Sequence, residues 1–309
     1  SRKKKWIART ILVVGSVALT LSVLELGTRA VNYFTGTHTS HLEFRLSQPN
    51  PYRNAHFFSE DFVRESFEQP KGWITPPDTR LILPEDYEGA FFTTSEGRRE
   101  TAFQPITFER EILVFGGSTI YCSEVPDEHT LPSRLQSHLK EYFGNEFIVR
   151  NYGTTSVTTT QQLERLKSID LKAGNVVVFY DGVNDVLQGL YHANPEETMF
   201  ERDQRAFGEM SFLDQSLFRL CKNSAFIRAF LNPASGYGAP PHLKDVDAKS
   251  LLLEGLARRY EKNITLAHHT ANEANATFLH FLQPNLYSQN KLSEYEKTLG
   301  SHPHLVPYG

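Results

Sequence analysis

The chain has 309 residues, a net charge of −4 at pH 7, 39% hydrophobic residues and 22% charged residues. These globular proportions suffice for one α/β core of about 200–250 residues, and the even mixing of charge signs excludes the basic stripe of a nucleic-acid binder. The two cysteines, Cys122 and Cys221, fit no CxxC or metal spacing, and sequence leaves open whether they form a disulfide or stay free.

The chain opens on Arg2-Lys3-Lys4-Lys5 and Trp6, followed by an apolar stretch from Ile11 to Leu24. Extended from Trp6 to Val31, this stretch reaches the roughly 20 residues that a membrane-spanning helix needs. Glu25 and Arg29 then pair at i,i+4, and Trp6 and Tyr33 fall where interfacial aromatics belong. Residues 1–35 therefore read as a signal-anchor, or transmembrane helix, with its basic end in the cytoplasm. Everything after it is extracytoplasmic, periplasmic or at the cell surface. A cleaved signal peptide and a buried amphipathic helix are the rival readings, although no A-x-A site follows.

Residues 36–105 are rich in aromatic, polar and Pro residues, including Pro49, Pro51, Pro70, Pro76 and Pro77. They read as an extended lead-in with short strands at Arg80–Leu83 and Ala90–Thr94. Clear periodicity starts in the third segment, residues 106–309. Glu111–Phe115 is a short apolar strand, and Leu131, Leu135, Leu139 and Phe143 mark a helix. A second strand at Phe147–Val149 and a helix at Gln161–Ile169 follow. Val176–Tyr180 is a third strand, apolar throughout, as in parallel sheets covered on both faces. After an insertion over residues 185–247, with a helical core at Phe212–Phe230, come a long helix at Ala248–Asn275 and a strand at Thr277–Leu282. This alternation predicts a doubly wound α/β domain.

In such sheets ligands bind at the carboxyl ends of the strands. There the chain carries Gly116-Gly117-Ser118-Thr119, then Asn151-Tyr152-Gly153, then Asp181-Gly182-Val183-Asn184-Asp185. The two glycines permit a sharp turn that exposes the Ser118 hydroxyl at a helix start, where developing negative charge is favoured. The backbone N–H groups of Ser118 and Gly153 and the Asn184 amide can converge there as oxyanion donors, each worth about 3–4 kcal/mol in acyl transfer.

These three blocks, with Phe281-Leu282-Gln283-Pro284 at the fourth strand end, resemble the SGNH/GDSL hydrolase superfamily over about residues 110–290. The resemblance implies a three-layer flavodoxin-like parallel sheet, Ser118 as nucleophile, and Ser118, Gly153 and Asn184 as oxyanion donors. The first block departs from Gly-Asp-Ser-Leu by having Gly117 in place of Asp. The family's Asp-x-x-His, which supplies the base, is absent after Gln283. The expectation is that it lies beyond Gly309; loss of the base, or a base at His302 or His304, are the alternatives. The implied activity is that of an extracytoplasmic serine esterase or acetylhydrolase acting on an ester of a carbohydrate, polysaccharide or lipid. O-acyl transfer to a glycan, or a non-catalytic binding protein, are the other readings.

No cofactor and no metal are expected. Asp181 and Asp185 read as caps of the following helix or braces of the turn. His268-His269 and the His302-x-His304 tail read as surface. Tyr191, Phe200, Phe207 and Phe212 read as packing of the insertion, with lining of an acyl or sugar cleft as the alternative. Asn263-Ile264-Thr265 and Asn275-Ala276-Thr277 match the glycosylation sequon.

Overall fold

A computed structural model describes residues 15–16, 19–31, 54–68, 73–74, 81, 83–192, 194 and 246–284. By contacts these fall into two units: residues 15–31 in one, and residues 54–194 with 246–284 in the other.

In the first unit residues 19–31 are helical. Arg29 Nε donates to Glu25 Oε1 at 2.7 Å, the i,i+4 pair expected from sequence. Thr20 and Thr28 return their hydroxyls to the carbonyls of Ser16 and Leu24. Among the described residues no helix is long and apolar enough to cross a membrane. Residues 1–14, 17–18 and 32–35 of the expected anchor lie outside the described residues.

The second unit starts with helix α1 (Glu60–Glu68) and a two-stranded sheet, β1 (Trp73–Ile74) against β2 (Leu83–Pro84). Seven strands form the main sheet: β3 (Tyr87–Glu88), β4 (Thr93–Ser95), β5 (Arg98–Arg99), β6 (Arg110–Gly116), β7 (Phe147–Gly153), β8 (Val176–Asp181) and β9 (Thr277–Leu282). Their order is β3-β4-β5-β7-β6-β8-β9. The helices are α2 (Ser118–Tyr121), α3 (Leu131–Phe143), α4 (Thr159–Lys167), α5 (Val183–His192) and α6 (Val246–Glu273).

Strands β7-β6-β8-β9 pair in parallel, in the flavodoxin-like order of doubly wound sheets. The expectation of an all-parallel sheet is corrected on one side. Residues 87–99, read as lead-in, add three antiparallel strands and make the sheet mixed. Of these, β4 overlaps the short strand expected at Ala90–Thr94, whereas β3 and β5, of two residues each, are too short for alternation to reveal.

The central strand β6 is covered on both faces, as its unbroken apolar run requires. Leu113 and Phe115 pack on one side with Leu163, Leu166, Val177, Phe179, Ala267 and Ala271. The small Ala267 and Ala271, both fully buried, let α6 close on the sheet. Ile112 and Val114 pack on the other side with Ile120 and Val149, flanked by Leu135 and Leu139 of α3. Helix α3 starts at Thr130, whose hydroxyl accepts the Ser133 N–H, and ends at Gly144 with φ of 64°. Helix α4 carries a reciprocal Thr158/Gln161 capping box. It and α5 start earlier than their apolar spacing suggests, because polar Thr159 and Asn184 occupy their first turns. The segment Phe212–Phe230 lies outside the described residues, as do Cys221, Phe200 and Phe207. Cys122 is a free thiol, pushed up to about 11 chiefly by burial.

Arg99 of β5 is the largest fully buried side chain among the described residues. Its Nε donates to Asp127 Oδ1 at 2.7 Å. Its Nη atoms donate to the carbonyls of Tyr121, Cys122 and Val125 at 2.7, 2.5 and 2.8 Å. The guanidinium also lies 4.6 Å from the Phe92 ring centroid. One planar fork thus satisfies a carboxylate and three carbonyls at the end of α2, a task that the point charge of Lys cannot match. Replacing Arg99 by Met takes the guanidinium donors from these carbonyls and from Asp127, whose charge is then balanced only by its hydrogen bonds from Thr93. The expected loss of stability in urea unfolding is about 3–5 kcal/mol, with Arg99→Lys recovering only a minor part.

Candidate active site

Strand β6 ends at Gly116, and the chain turns through Gly117 into α2, whose first residue is Ser118. Helix α2 has four residues and ends at Cys122 in the left-handed conformation, with φ of 61°. So short a turn has little macrodipole, and the help expected from the helix start reduces to the open backbone N–H of Ser118. Ser118 is exposed while Gly116 and Gly117 beneath it are buried. Among the described residues no hydrogen bond occupies the Ser118 hydroxyl.

The glycines are required by close approach. A Cβ at Gly116 would come within 2.3 Å of Ile120 Cγ1, and one at Gly117 within 2.5 Å of Asn184 Nδ2. The Asn184 carboxamide therefore lies against the turn that presents Ser118. Its Nδ2 donates to Val157 O at 2.8 Å, which fixes its orientation and leaves its second amide proton available.

Gly153 packs behind the same turn; a Cβ there would sit 2.3 Å from Tyr121 N. Its N–H donates to Asn151 Oδ1 at 2.9 Å, while Asn151 Nδ2 donates to Ile120 O at 3.1 Å. The structure therefore brings Ser118, Gly153 and Asn184 to one place, with the Gly153 amide committed to Asn151. Strand β9 completes the rim, since Gln283 Nε2 donates to Thr119 Oγ1 at 2.6 Å. Asn151 and Gln283 are site residues to which sequence reasoning assigned no role. Both lie inside the quoted strand-end blocks, and that position was the available signal.

Asp181 and Asp185 engage different partners. Asp181, 3% exposed, accepts from the Tyr260 hydroxyl at 2.5 Å, and His280 Nε2 lies 2.6 Å from the same phenol oxygen. With the phenol proton given to Asp181, His280 must carry its own proton on Nε2. Burial, then the Asp181 charge, push the Tyr260 hydroxyl well above its ordinary value, so this chain stays a neutral-phenol bridge. Asp181 Oδ2 is buried without a hydrogen-bond partner among the described residues. Gly182, with φ of +107°, passes where a Cβ would be 3.3 Å from Tyr260 Oη. His280 pairs in register with Phe179, below the level of Asp181, and its ring is held on the α6 face of the sheet.

Asp185 reads from sequence as a cap of the following helix or a brace of the turn, and the structure gives it a bracing role. It lies in the first turn of α5 and caps α4 instead, accepting the Thr159 N–H at 3.1 Å and the Thr159 hydroxyl at 2.5 Å. The reason is that Thr158 turns α4 back towards the β8 end, where its open N–H groups need an acceptor. Asn263 joins this network, its Nδ2 donating to Thr159 and Thr160. Buried and engaged there, its amide is closed to a glycan. Asn275 is exposed, at φ of 54°, just after α6. His268 and His269 are on the surface. His302, His304 and everything after Pro284 lie outside the described residues.

No family model and no curated protein matches the chain. Solved structures similar to it include AlinE4, an SGNH-hydrolase family esterase, at 20% identity and TM-score 0.27, covering 56% of this chain and 77% of that one. A member of the lipolytic protein G-D-S-L family from Veillonella parvula is 14% identical at TM-score 0.24, over 56% of this chain and 78% of its own. A variant of Axe2, an acetyl xylan esterase from Geobacillus stearothermophilus, is 15% identical at TM-score 0.26, over 54% and 74%. Likenesses this partial carry nothing about activity, which rests on the geometry of the strand ends.

Burial pushes the Asp185 carboxyl up to about 7, against the hydrogen bonds from Thr159; the Asp181 charge adds to the rise and Arg259 opposes it. Between its ordinary 3.8 and about 7 the folded chain holds a proton that the unfolded chain releases. Stability therefore falls as pH rises through that window, and the whole cost is present above it. Asp185→Asn keeps an oxygen for the Thr159 N–H and removes the charge. Denaturant unfolding at pH 5 and pH 8 should show the variant gaining on the parent with rising pH, by on the order of 2 kcal/mol. An equal pH response in both proteins would refute the assignment.

Proposed function

We propose that the chain is a serine ester hydrolase in which Ser118 attacks the ester carbonyl and forms an acyl-enzyme. The observation that carries this reading is the exposed Ser118, raised on a buried Gly116-Gly117 turn, with the oriented Asn184 amide against it. Nucleophilic attack breaks the carbonyl π bond and places negative charge on its oxygen. The Ser118 N–H and the second Asn184 amide proton are the available donors for that charge. Gly153 is the third donor, on exchange of its Asn151 partner for the oxyanion. The Ser118 proton passes to a general base, which the described residues do not place beside Ser118. The tetrahedral intermediate then collapses, the ester C–O bond breaks, and the alcohol leaves with the proton held by the base. Water, or a glycan hydroxyl in the acyl-transfer variant, gives a proton to the base and attacks the acyl carbonyl; the bond to Ser118 breaks and the proton returns to its hydroxyl.

The substrate class proposed is an ester on a carbohydrate, polysaccharide or lipid of the cell envelope, with residues 1–35 as a signal-anchor and the hydrolase domain extracytoplasmic. The basic Arg2–Lys5 start, the apolar stretch to Leu24 and the Glu25/Arg29 pair support that reading. The binding-protein alternative predicts an unreactive Ser118.

A fluorophosphonate probe should label the parent protein and fail on Ser118→Ala, with circular dichroism unchanged. A folded parent that takes no label speaks for the binding protein. Gly117→Ala should slow labelling about tenfold or more, because the new methyl displaces the Asn184 carboxamide. Removing residues 1–35 should move the protein from a carbonate-resistant membrane fraction to the soluble one while labelling persists. Its presence in the soluble fraction with residues 1–35 intact would count against the anchor.

A further inference from the structure

Away from Ser118, the turn before α1 and the 3₁₀ turn before α3 (Asp127–His129) bring His56, Glu128 and His129 together. Each offers one ligand atom, and these atoms all lie within 4.8 Å of one another. His129 Nε2 is 3.9 Å from Glu128 Oε1. The two imidazole rings stand 5.3 Å apart between centroids, at 67°. Ring packing alone accounts for that contact, but not for the state of one nitrogen. His129 Nε2 is shielded from solvent and has no hydrogen-bond partner among the described residues. A buried polar atom of this kind is costly unless something satisfies it.

We propose that His56, Glu128 and His129 form a site for a borderline divalent transition metal of the Zn²⁺ class. Two imidazoles and a carboxylate suit Zn²⁺ and disfavour Mg²⁺ and Ca²⁺, which prefer all-oxygen shells. In a tetrahedral shell with bonds of about 2.0–2.1 Å the ligand atoms lie roughly 3.4 Å apart. The side chains must therefore close by up to about 1.4 Å. His56 and Glu128 are exposed and able to make that movement.

The backbone beneath the ligands is already braced. Asp127, next to Glu128, is tied to Arg99 and, through its N–H, to Phe91 O at 3.0 Å. The turn bearing His56 is closed by Phe58 N to Ala55 O at 3.0 Å, and Phe57 packs edge-on against Phe62 of α1. The metal would staple two segments far apart in sequence, with three protein ligands and one position left for water. This inference does not depend on Ser118 chemistry.

The test uses the tag-free full chain, stripped with chelator and titrated with Zn²⁺ by calorimetry and thermal melting. One equivalent at micromolar affinity or tighter is expected, with a melting temperature that rises with free Zn²⁺. His56→Ala and Glu128→Gln, both at exposed positions, should each weaken binding at least tenfold while melting like the parent in chelator. His129→Ala should abolish it. Co²⁺ should give the visible bands of a four- or five-coordinate ion in the parent and not in the variants. His302→Ala/His304→Ala should bind as the parent does. Binding that survives His56→Ala and Glu128→Gln, binding lost in the His302/His304 double variant, or affinity weaker than millimolar would each overturn the proposal.

Discussion

The Arg99 guanidinium is the interaction on which the site's geometry depends. It enters from an antiparallel strand that the sequence does not advertise, and it holds three carbonyls and one carboxylate at the end of the Ser118 turn. A four-residue helix cannot hold its own shape by propagation, because nucleation costs more than one turn returns. Helix α2 is instead clamped at its C-terminal end by Arg99, packed from below by Gly153, and pinned through Ile120 O by Asn151. The position of Ser118 is thus a tertiary property. The same guanidinium, through Asp127, steadies the turn that carries Glu128 and His129.

The carboxyl ends of β6, β7, β8 and β9 each contribute one piece to the rim: the Ser118 turn, the Asn151–Gly153 brace, Asn184 and Gln283. Below that rim lie two carboxylates with different surroundings, Asp181 buried and Asp185 half-buried. Asp181 is bridged by Tyr260 to His280 and so ties β8, α6 and β9 together. Asp185 is given to the start of α4, at an electrostatic cost that burial sets and Thr159 only partly offsets. Both flank Asn184 in the chain, so the β8 turn is fixed from two sides. A carboxamide held this way reorganises little when charge develops nearby, and that is the condition under which a donor is most effective.

The parallel half of the fold was legible because its strands are spelled by largely apolar runs, Ile112–Phe115, Val176–Tyr180 and Thr277–Leu282, of which the central Ile112–Phe115 is buried throughout while Leu279, Phe281 and Leu282 of β9 are exposed. Of the antiparallel half only the strand near Thr93–Ser95 was legible, since Tyr87–Glu88 and Arg98–Arg99 are too short for any period, and a buried arginine is the opposite of a core signal. Ser118, Gly153 and Asn184 were legible as strand-end residues. The commitment of the Gly153 amide to Asn151 was not, because it arises from a side chain folding back on its own strand. The roles of Asp181 and Asp185 depend on Tyr260, His280 and Thr159, which lie up to about a hundred positions away in the chain. His56, Glu128 and His129 carry no fixed spacing, so only the folded chain brings them into one group.

Gly117 joins the sequence and structural arguments most closely. The SGNH/GDSL pattern that the chain resembles has an aspartate at this position, whereas here a Cβ would meet Asn184 Nδ2 at 2.5 Å. The departure is therefore coupled to the amide: the space where an aspartate side chain would begin is filled by the Asn184 carboxamide, anchored in turn on Val157 O. A second glycine is unnecessary for the turn itself, since Gly117 has φ of −79° and any residue adopts that value. What glycine supplies is proximity, bringing a fixed donor against the backbone that presents Ser118. Gly117 and Asn184 thus act as one device, and a side chain restored at 117 has to displace the amide that would receive the oxyanion.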